Sequence, residues 1–267
     1  MKNEFMTDEE YKNCFVDFWG IRTKIVNLLS AYRLQAGVRV LDVPAGHGFL
    51  SYEVAKVIHQ GVIHAIGLQN DLETYQKFFH SPKSKADQNF LKLITYHVMD
   101  ATQLDFPSET VDFVVNFLGL EDINMTRGVE GVKKSLAEFV RVLKPKGIVQ
   151  LTLCLEGDEP DQVIAQQVMD FIGFNAIFHP KEFYIRELEN LGVEILAKNW
   201  FYTQRKMTAT QAKEELEFAC TETAKIFQDY NVRTISFEEL WDKFGKQIEI
   251  HGMAYYSNLC VLIGQKR

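Results

Sequence analysis

Long apolar runs are missing from this chain. Apolar runs such as Phe113-Val114-Val115 and Leu259-Cys260-Val261-Leu262-Ile263 are strand-sized, whereas a helix needs about 20 apolar residues to cross a bilayer; no membrane span is expected. The opening Met1-Lys2-Asn3-Glu4-Phe5 carries an acid early and leads into no apolar stretch, which argues against a secretory signal. Cysteine is scarce. Cys14, Cys154, Cys220 and Cys260 stand too far apart for the paired spacing of a zinc site or for a disulfide framework, so reduced thiols in a cytoplasmic protein, with no bound metal, are the expectation. Basic charge is also short: 29 Lys and Arg stand against 36 Asp and Glu, a formal net charge of −7. Clusters such as Lys144-Pro145-Lys146 and Arg205-Lys206 are too brief to hold a phosphate backbone, and a nucleic-acid partner is not expected.

The chain does have an ordinary core composition, 46% hydrophobic over 267 residues, enough for one large domain. Helical periodicity runs from about Thr7 to Tyr32 through Phe15, Trp19, Ile25, Leu28 and Leu29, with Thr7 and Glu10 spaced as a capping box. Strands are predicted at Val38–Val43, Val62–Leu68, Leu91–Met99, Val111–Phe117 and Ile148–Leu155, and helices at Leu50–His59, Asp71–Phe79 and Gly131–Leu143. Lys144-Pro145-Lys146-Gly147 suits a type I turn ahead of the fifth strand. Beyond Leu155 a strand is predicted at Val193–Trp200, helices at Thr208–Tyr230 and Ser236–Phe244, and a last strand at Tyr255–Gly264. Such alternation predicts an α/β fold, a doubly wound and mostly parallel seven-stranded sheet with helices on both faces. The expected organisation is a single domain over 1–267, with an N-terminal helical segment over 1–33 and a helical cap, 203–252, inserted before the last strand.

One stretch says more than the rest: Val38-Arg39-Val40-Leu41-Asp42-Val43-Pro44-Ala45-Gly46-His47-Gly48-Phe49-Leu50-Ser51. A β-branched strand runs into a glycine bend and then a helix, the place where doubly wound sheets bind nucleotides. Gly46 and Gly48 let the backbone turn sharply and lie against a ligand, although the same glycines would serve a plain strand–helix turn. A pyrophosphate site of the form G-x-G-x-x-G wants a third glycine where this chain has Ser51, and Asp42 would repel phosphate. A carboxylate there suits an ammonium or a hydroxyl, so the loop points to a nucleoside carrying positive charge.

Four segments in this order resemble the class I S-adenosylmethionine-dependent methyltransferases, nearest the branch acting on quinone precursors and similar small molecules. They are Asp42 to Gly48, the end of the second strand, Met99-Asp100-Ala101 with Leu104-Asp105-Phe106-Pro107, and Asp112 to Ile123 followed by Leu136 to Gly147. The resemblance implies a Rossmann-like methyltransferase fold that binds S-adenosyl-L-methionine. It places Asp42 at the methionine ammonium, with Ala45, Gly46, His47 and Gly48 bordering the methionine portion. Leu68 and Gln69 fall at the ribose, where the family usually has an acid and Gln offers a mixed donor–acceptor pair. Asp100 and Ala101 match the adenine edge, and Asn116 and Phe117 face the expected sulfonium, where carbonyl oxygens or an aromatic face favour a cation.

Methyl transfer asks the protein to exclude water and align a nucleophile, with a base only for an acceptor that arrives protonated. His47, Glu121, Asp122, His179 and His251 are the candidates, with Glu121 and Asp122 favoured because they follow the fourth strand. Tyr11, Phe15, Phe18 and Trp19, with Phe201, Tyr202, Phe218, Tyr255 and Tyr256, could wall an apolar acceptor pocket. The expected partner is a small, partly apolar methyl acceptor. The competing readings are a cofactor-binding protein without turnover, kept open by Gln69, and a nicotinamide-dependent oxidoreductase, which leaves Asp42 and the Asp100-Ala101 pair unexplained.

Overall fold

Strands β1 (Arg39–Asp42), β2 (Val62–Gly67), β3 (Ile94–Val98), β4 (Val111–Phe117), β5 (Leu143–Cys154), β6 (Val193–Tyr202) and β7 (Asn258–Lys266) form one sheet in the computed structural model. The structure describes residues 20–80, 84–155, 157–172, 179–202, 206–223, 235–254 and 258–267. The strand order is β3-β2-β1-β4-β5-β7-β6. The first five strands run parallel, and β7 pairs antiparallel with both β5 and β6. The order reverses at β1 and β4, so a crevice opens beyond their carboxyl ends.

Helix α1 is described over residues 20–30. It is followed by α2 (Phe49–Ile58), α3 (Gln69–Phe79), α4 (Lys85–Leu91), α5 (Leu120–Val142), α6 (Pro160–Ile172), α7 (Lys181–Asn190), α8 (Ala209–Phe218) and α9 (Phe237–His251). Successive strand residues serve opposite faces, as the two-residue strand period requires. Leu41 and Val114 join Leu136, Phe139 and Leu188 in one core layer. Val40 and Val115 join Ile25, Leu29, Val54 and Ile58 in the other. A third cluster ties α6 to α8 and α9 through Ile164, Val168, Leu216 and Ile248. Among the described residues no helix is long and apolar enough to cross a membrane.

Several boundaries differ from the sequence expectation. An unanticipated helix, α4, takes the residues before β3, with Ser84 Oγ accepting from the Asp87 N–H at 3.1 Å. Helix α5 begins eleven residues ahead of the expected Gly131 and breaks at Gly128, φ 66° and ψ −175°. At Lys144–Gly147 the third residue, Lys146, has φ 65°, the signature of a type II turn rather than the expected type I. The predicted helix to Tyr230 is described as α8 plus a wider π-helical turn over Ala219–Thr223; its remainder lies outside the described residues, as do Thr7, Glu10 and the first half of the helix predicted from Thr7 to Tyr32. Helix α9 extends to His251, its Ser236 cap accepting from the Glu239 N–H at 3.1 Å.

Candidate active site

A cavity of about 380 Å³ opens at the carboxyl ends of β1 and β4, between α1, the loop after β1 and the first turns of α3 and α5. Asp42 ends β1 at its floor and is 1% exposed. The Ser51 hydroxyl donates to Asp42 Oδ2 at 2.7 Å, while Oδ1 has no hydrogen-bond partner among the described residues. Burial pushes the Asp42 carboxyl up to about 7, against the Ser51 hydrogen bonds and the nearby Arg22. A buried carboxylate oxygen without a donor is costly, and here it lines an open cavity.

The loop above Asp42 is held from three directions. The Ala45 N–H donates to Ile66 O at 2.6 Å, Tyr96 Oη donates to Gly46 O, and Asn116 Nδ2 donates to Val43 O at 3.1 Å. Gly48 adopts φ +78°, and a Cβ there would meet the Tyr75 ring at 2.6 Å. No atom stands within 4 Å of a Cβ placed on Gly46, so that backbone lies open for a ligand to approach. Gly119, at φ +134°, touches the loop from β4, and a Cβ there would meet Pro44 Cγ at 2.6 Å.

Of the residues predicted from sequence, Asp42, Ala45, Gly46, His47, Leu68, Asp100, Ala101 and Phe117 line the cavity. Gly48 stands just behind its wall, against Tyr75. Gly48, Gln69 and Asn116 fall outside the lining. The Gln69 side chain points out, its Nε2 3.4 Å from Glu73 Oε1, because it opens α3 on the solvent side. Two residues further on, Asp71 turns back into the cavity, with Oδ2 accepting from the Leu68 N–H at 2.9 Å and its pKa raised by burial. Asn116 is fully buried beneath the loop and ties β4 to Val43 instead of facing a ligand.

Phe117 is in the wall, yet one ring face is covered by the chain itself. The Arg22 guanidinium lies 4.4 Å from its centroid and 5.4 Å from that of Phe49. Arg22 comes from α1, is 6% exposed and lines the cavity opposite Asp42 in charge. At the far end Asp100 Oδ1 accepts from the Thr102 N–H and Oγ at 2.8 and 2.7 Å, and Oδ2 stands 3.4 Å from Arg127. Burial pushes Asp100 up, but Thr102 and Arg127 outweigh it and hold the carboxyl below the usual range. His47 is pushed down to about 4 by burial and by Arg22. Sequence reasoning missed Arg22, Asp71, Gly119 and Arg127; a lone Arg between Ile21 and Ile25 on an apolar helix face was the available signal for the first.

Of the aromatic wall proposed from sequence, the three described members lie away from this cavity. Phe201 and Tyr202 lie on β6, the far edge strand of the sheet, and neither lines the cavity; Tyr202 is 75% exposed. Phe218 closes α8, also away from it. Tyr11, Phe15, Phe18, Trp19, Tyr255 and Tyr256 lie outside the described residues. Among the described residues no group of three or more His, Cys, Asp or Glu gathers as a metal site.

Comparison with known proteins agrees with this arrangement. A family model described as a methyltransferase domain matches residues 41–151, from β1 to the middle of β5. Over residues 41–151 the chain is thus similar to methyltransferase domains. The ubiquinone/menaquinone biosynthesis C-methyltransferase UbiE of Rickettsia massiliae is 28% identical over 139 residues, 52% of each chain. The chain thus spans about half the length of the curated relatives it matches. Among solved structures, the methyltransferase fold is shared with the 4+2 cyclase SpnF, at 18% identity and TM-score 0.56 over 91% of this chain and 81% of that one. It is shared too with a Haemonchus contortus phosphoethanolamine N-methyltransferase solved with S-adenosylhomocysteine, at 18% identity and TM-score 0.50 over 87% and 49%.

Proposed function

We propose that the protein transfers a methyl group from S-adenosyl-L-methionine to a small, partly apolar acceptor. The observation that carries this reading is the buried Asp42 with its unpartnered Oδ1 at the cavity floor. The cofactor fits the residues present. Asp42 meets the methionine ammonium, and Arg22 offers the opposite charge for the methionine carboxylate. Asp71 replaces Gln69 as acceptor for the ribose hydroxyls, and Asp100 with the Ala101 N–H reads the adenine edge by acceptor–donor complementarity. Charge-assisted hydrogen bonds at such a site are roughly twice as strong as neutral ones. When bound, the cofactor supplies a methyl group already activated by its sulfonium. The chain's own residues then orient the donor and keep water out.

Four carboxylates on the cavity wall, Asp42, Asp71, Asp100 and Asp122, argue against a pyrophosphate and therefore against a nicotinamide dinucleotide. The relatives' names favour an acceptor of the quinone-precursor type. A cytoplasmic protein acting on a small molecule, without a nucleic-acid partner, suits the acidic composition and the few, widely separated cysteines. We also assign acceptor contacts to the N-terminal segment 1–33 and the helical cap 203–252. Calorimetry with S-adenosylmethionine, S-adenosylhomocysteine and NAD tests the reading. Binding of the first two and not the third is expected; tight NAD binding with no heat from either adenosyl ligand overturns it. Binding without transfer to any hydroquinone, phenol or amine acceptor assigns the cavity to a protein that binds without turnover.

A further inference from the structure

We infer that Asp122 is the catalytic base, receiving the proton that a phenolic, amine or carbon-acid acceptor loses as it is methylated. The inference rests on the proposed methyl transfer and identifies the acceptor as one that arrives protonated. Among the five titratable residues nominated from sequence, geometry separates the roles. Glu121 is fully engaged in structure: it is 2% exposed, and its oxygens accept from the Gly119 and Cys154 N–H groups, each at 2.9 Å. These bonds pin the first turn of α5 to β5 and place the next residue, Asp122, at the cavity wall. His179 is occupied elsewhere, with Nε2 3.1 Å from Asn124 Oδ1 and its ring stacked on Phe183. His251 is exposed at the end of α9. His47 lines the cavity, but burial and Arg22 make it a poor proton acceptor at neutral pH.

Asp122 differs from all four. Asp122 lines the cavity and is itself exposed, and no hydrogen bond or ion pair to its carboxylate is found among the described residues. The charged groups sharing that cavity are Asp42 from β1, His47, Asp71 from α3, Asp100, Arg22 from α1 and Arg127 from α5. Arg127 turns to Asp100, and Arg22 lies over Phe117 and Phe49, so neither is paired with Asp122. Desolvation, then Glu121 and Asp71, push the Asp122 carboxyl up to about 7, close to where a general base works best at neutral pH. The step balances. The acceptor's nucleophilic atom bonds the methyl carbon, and the carbon–sulfur bond breaks with its electron pair passing to sulfur. The acceptor's proton passes to a carboxylate oxygen of Asp122, which is left as a neutral carboxyl group.

The test uses the full chain with Asp122→Asn and Asp122→Glu. S-adenosylhomocysteine affinity by calorimetry is expected to stay within about threefold of wild type in both variants; no binding by wild type itself strikes the underlying reading and not the role of Asp122. Independently of turnover, infrared titration of the carboxyl band is expected to show a group with midpoint near 7 that Asp122→Asn removes. Against a panel of hydroquinones, phenols and amines, wild-type transfer is expected to rise with pH through that midpoint. Asp122→Asn should lower transfer by about 10²-fold or more and flatten the profile, and Asp122→Glu should keep the pH dependence at reduced rate. An Asp122→Asn protein that transfers at the wild-type rate with the same profile overturns the assignment. So does a carboxyl already ionised below pH 5, or a wild type that binds S-adenosylhomocysteine and methylates nothing.

Discussion

At Asp42 the chain buries a carboxylate with one satisfied oxygen and one that faces the cavity. Its folded pKa, about 7, lies above the ordinary 3.8. The linkage sign follows: stability is fullest below 3.8, where both folded and unfolded forms are protonated, and is lost as pH rises through about 7. Asp42→Asn keeps the contact with Ser51 and removes the charge. It is expected to stabilise the ligand-free protein by about 1–2 kcal/mol at pH 8, a few degrees in Tm for a domain of this size. That advantage should close as pH falls toward 4, while affinity for S-adenosylmethionine drops sharply. Thermal scans from pH 4 to 8, with calorimetry alongside, check both halves. A variant that loses stability at pH 8 would place the ligand-binding cost elsewhere. His47 was legible in sequence as part of the motif, but its depressed pKa depends on burial in the folded chain and on α1 bringing Arg22 beside it.

Among the elements, the turn after β1 depends on glycines whose neighbours come from distant parts of the chain. Gly48→Ala would force a side chain into φ +78° and onto Tyr75 of α3. A destabilisation of about 1–3 kcal/mol is expected, together with weaker cofactor binding, measured by urea unfolding and calorimetry. Strands β2 and β3 carry a second device. His64 Nδ1 and His97 Nε2 stand 3.0 Å apart, and burial holds both pKa values below 6.5, with His97 and Arg39 adding to the effect at His64. Depressed histidines contribute stability above pH 6.5 that is lost as pH falls through their folded pKa values. Urea midpoints should therefore fall on acidification below pH 6, and His97→Gln should blunt that fall. Strands and caps at this scale were largely readable. Val111–Phe117 matches β4 end to end, and helix α9 opens at Ser236 where the sequence predicts a helix to begin, because both depend on neighbours within a few residues. The Gly128 break and the α4 helix were not readable, since the pattern around them suits more than one backbone path.

For the whole molecule, ligand binding should tie α1, the β1 loop, α3 and α5 around one cavity. S-adenosylhomocysteine at 100 times its Kd adds about 2.7 kcal/mol, so Tm is expected to rise by about 5–10 °C; no shift at saturating ligand contradicts the cavity's assignment. Sequence alone determined the alternating α/β architecture, the acidic loop after the first strand and the place of Asp100 and Ala101 at the cavity. Those follow from local periodicity and from residues contiguous in the chain. Tertiary structure decided what fills the space between strand ends. It turned Gln69 outward and Asp71 inward, and buried Asn116 beneath the loop as a strut. It also set Arg22 over Phe117 and sent Phe201 and Tyr202 to the far edge. Side-chain direction at an element's end depends on the helix that packs across it, and that partner can be distant along the chain.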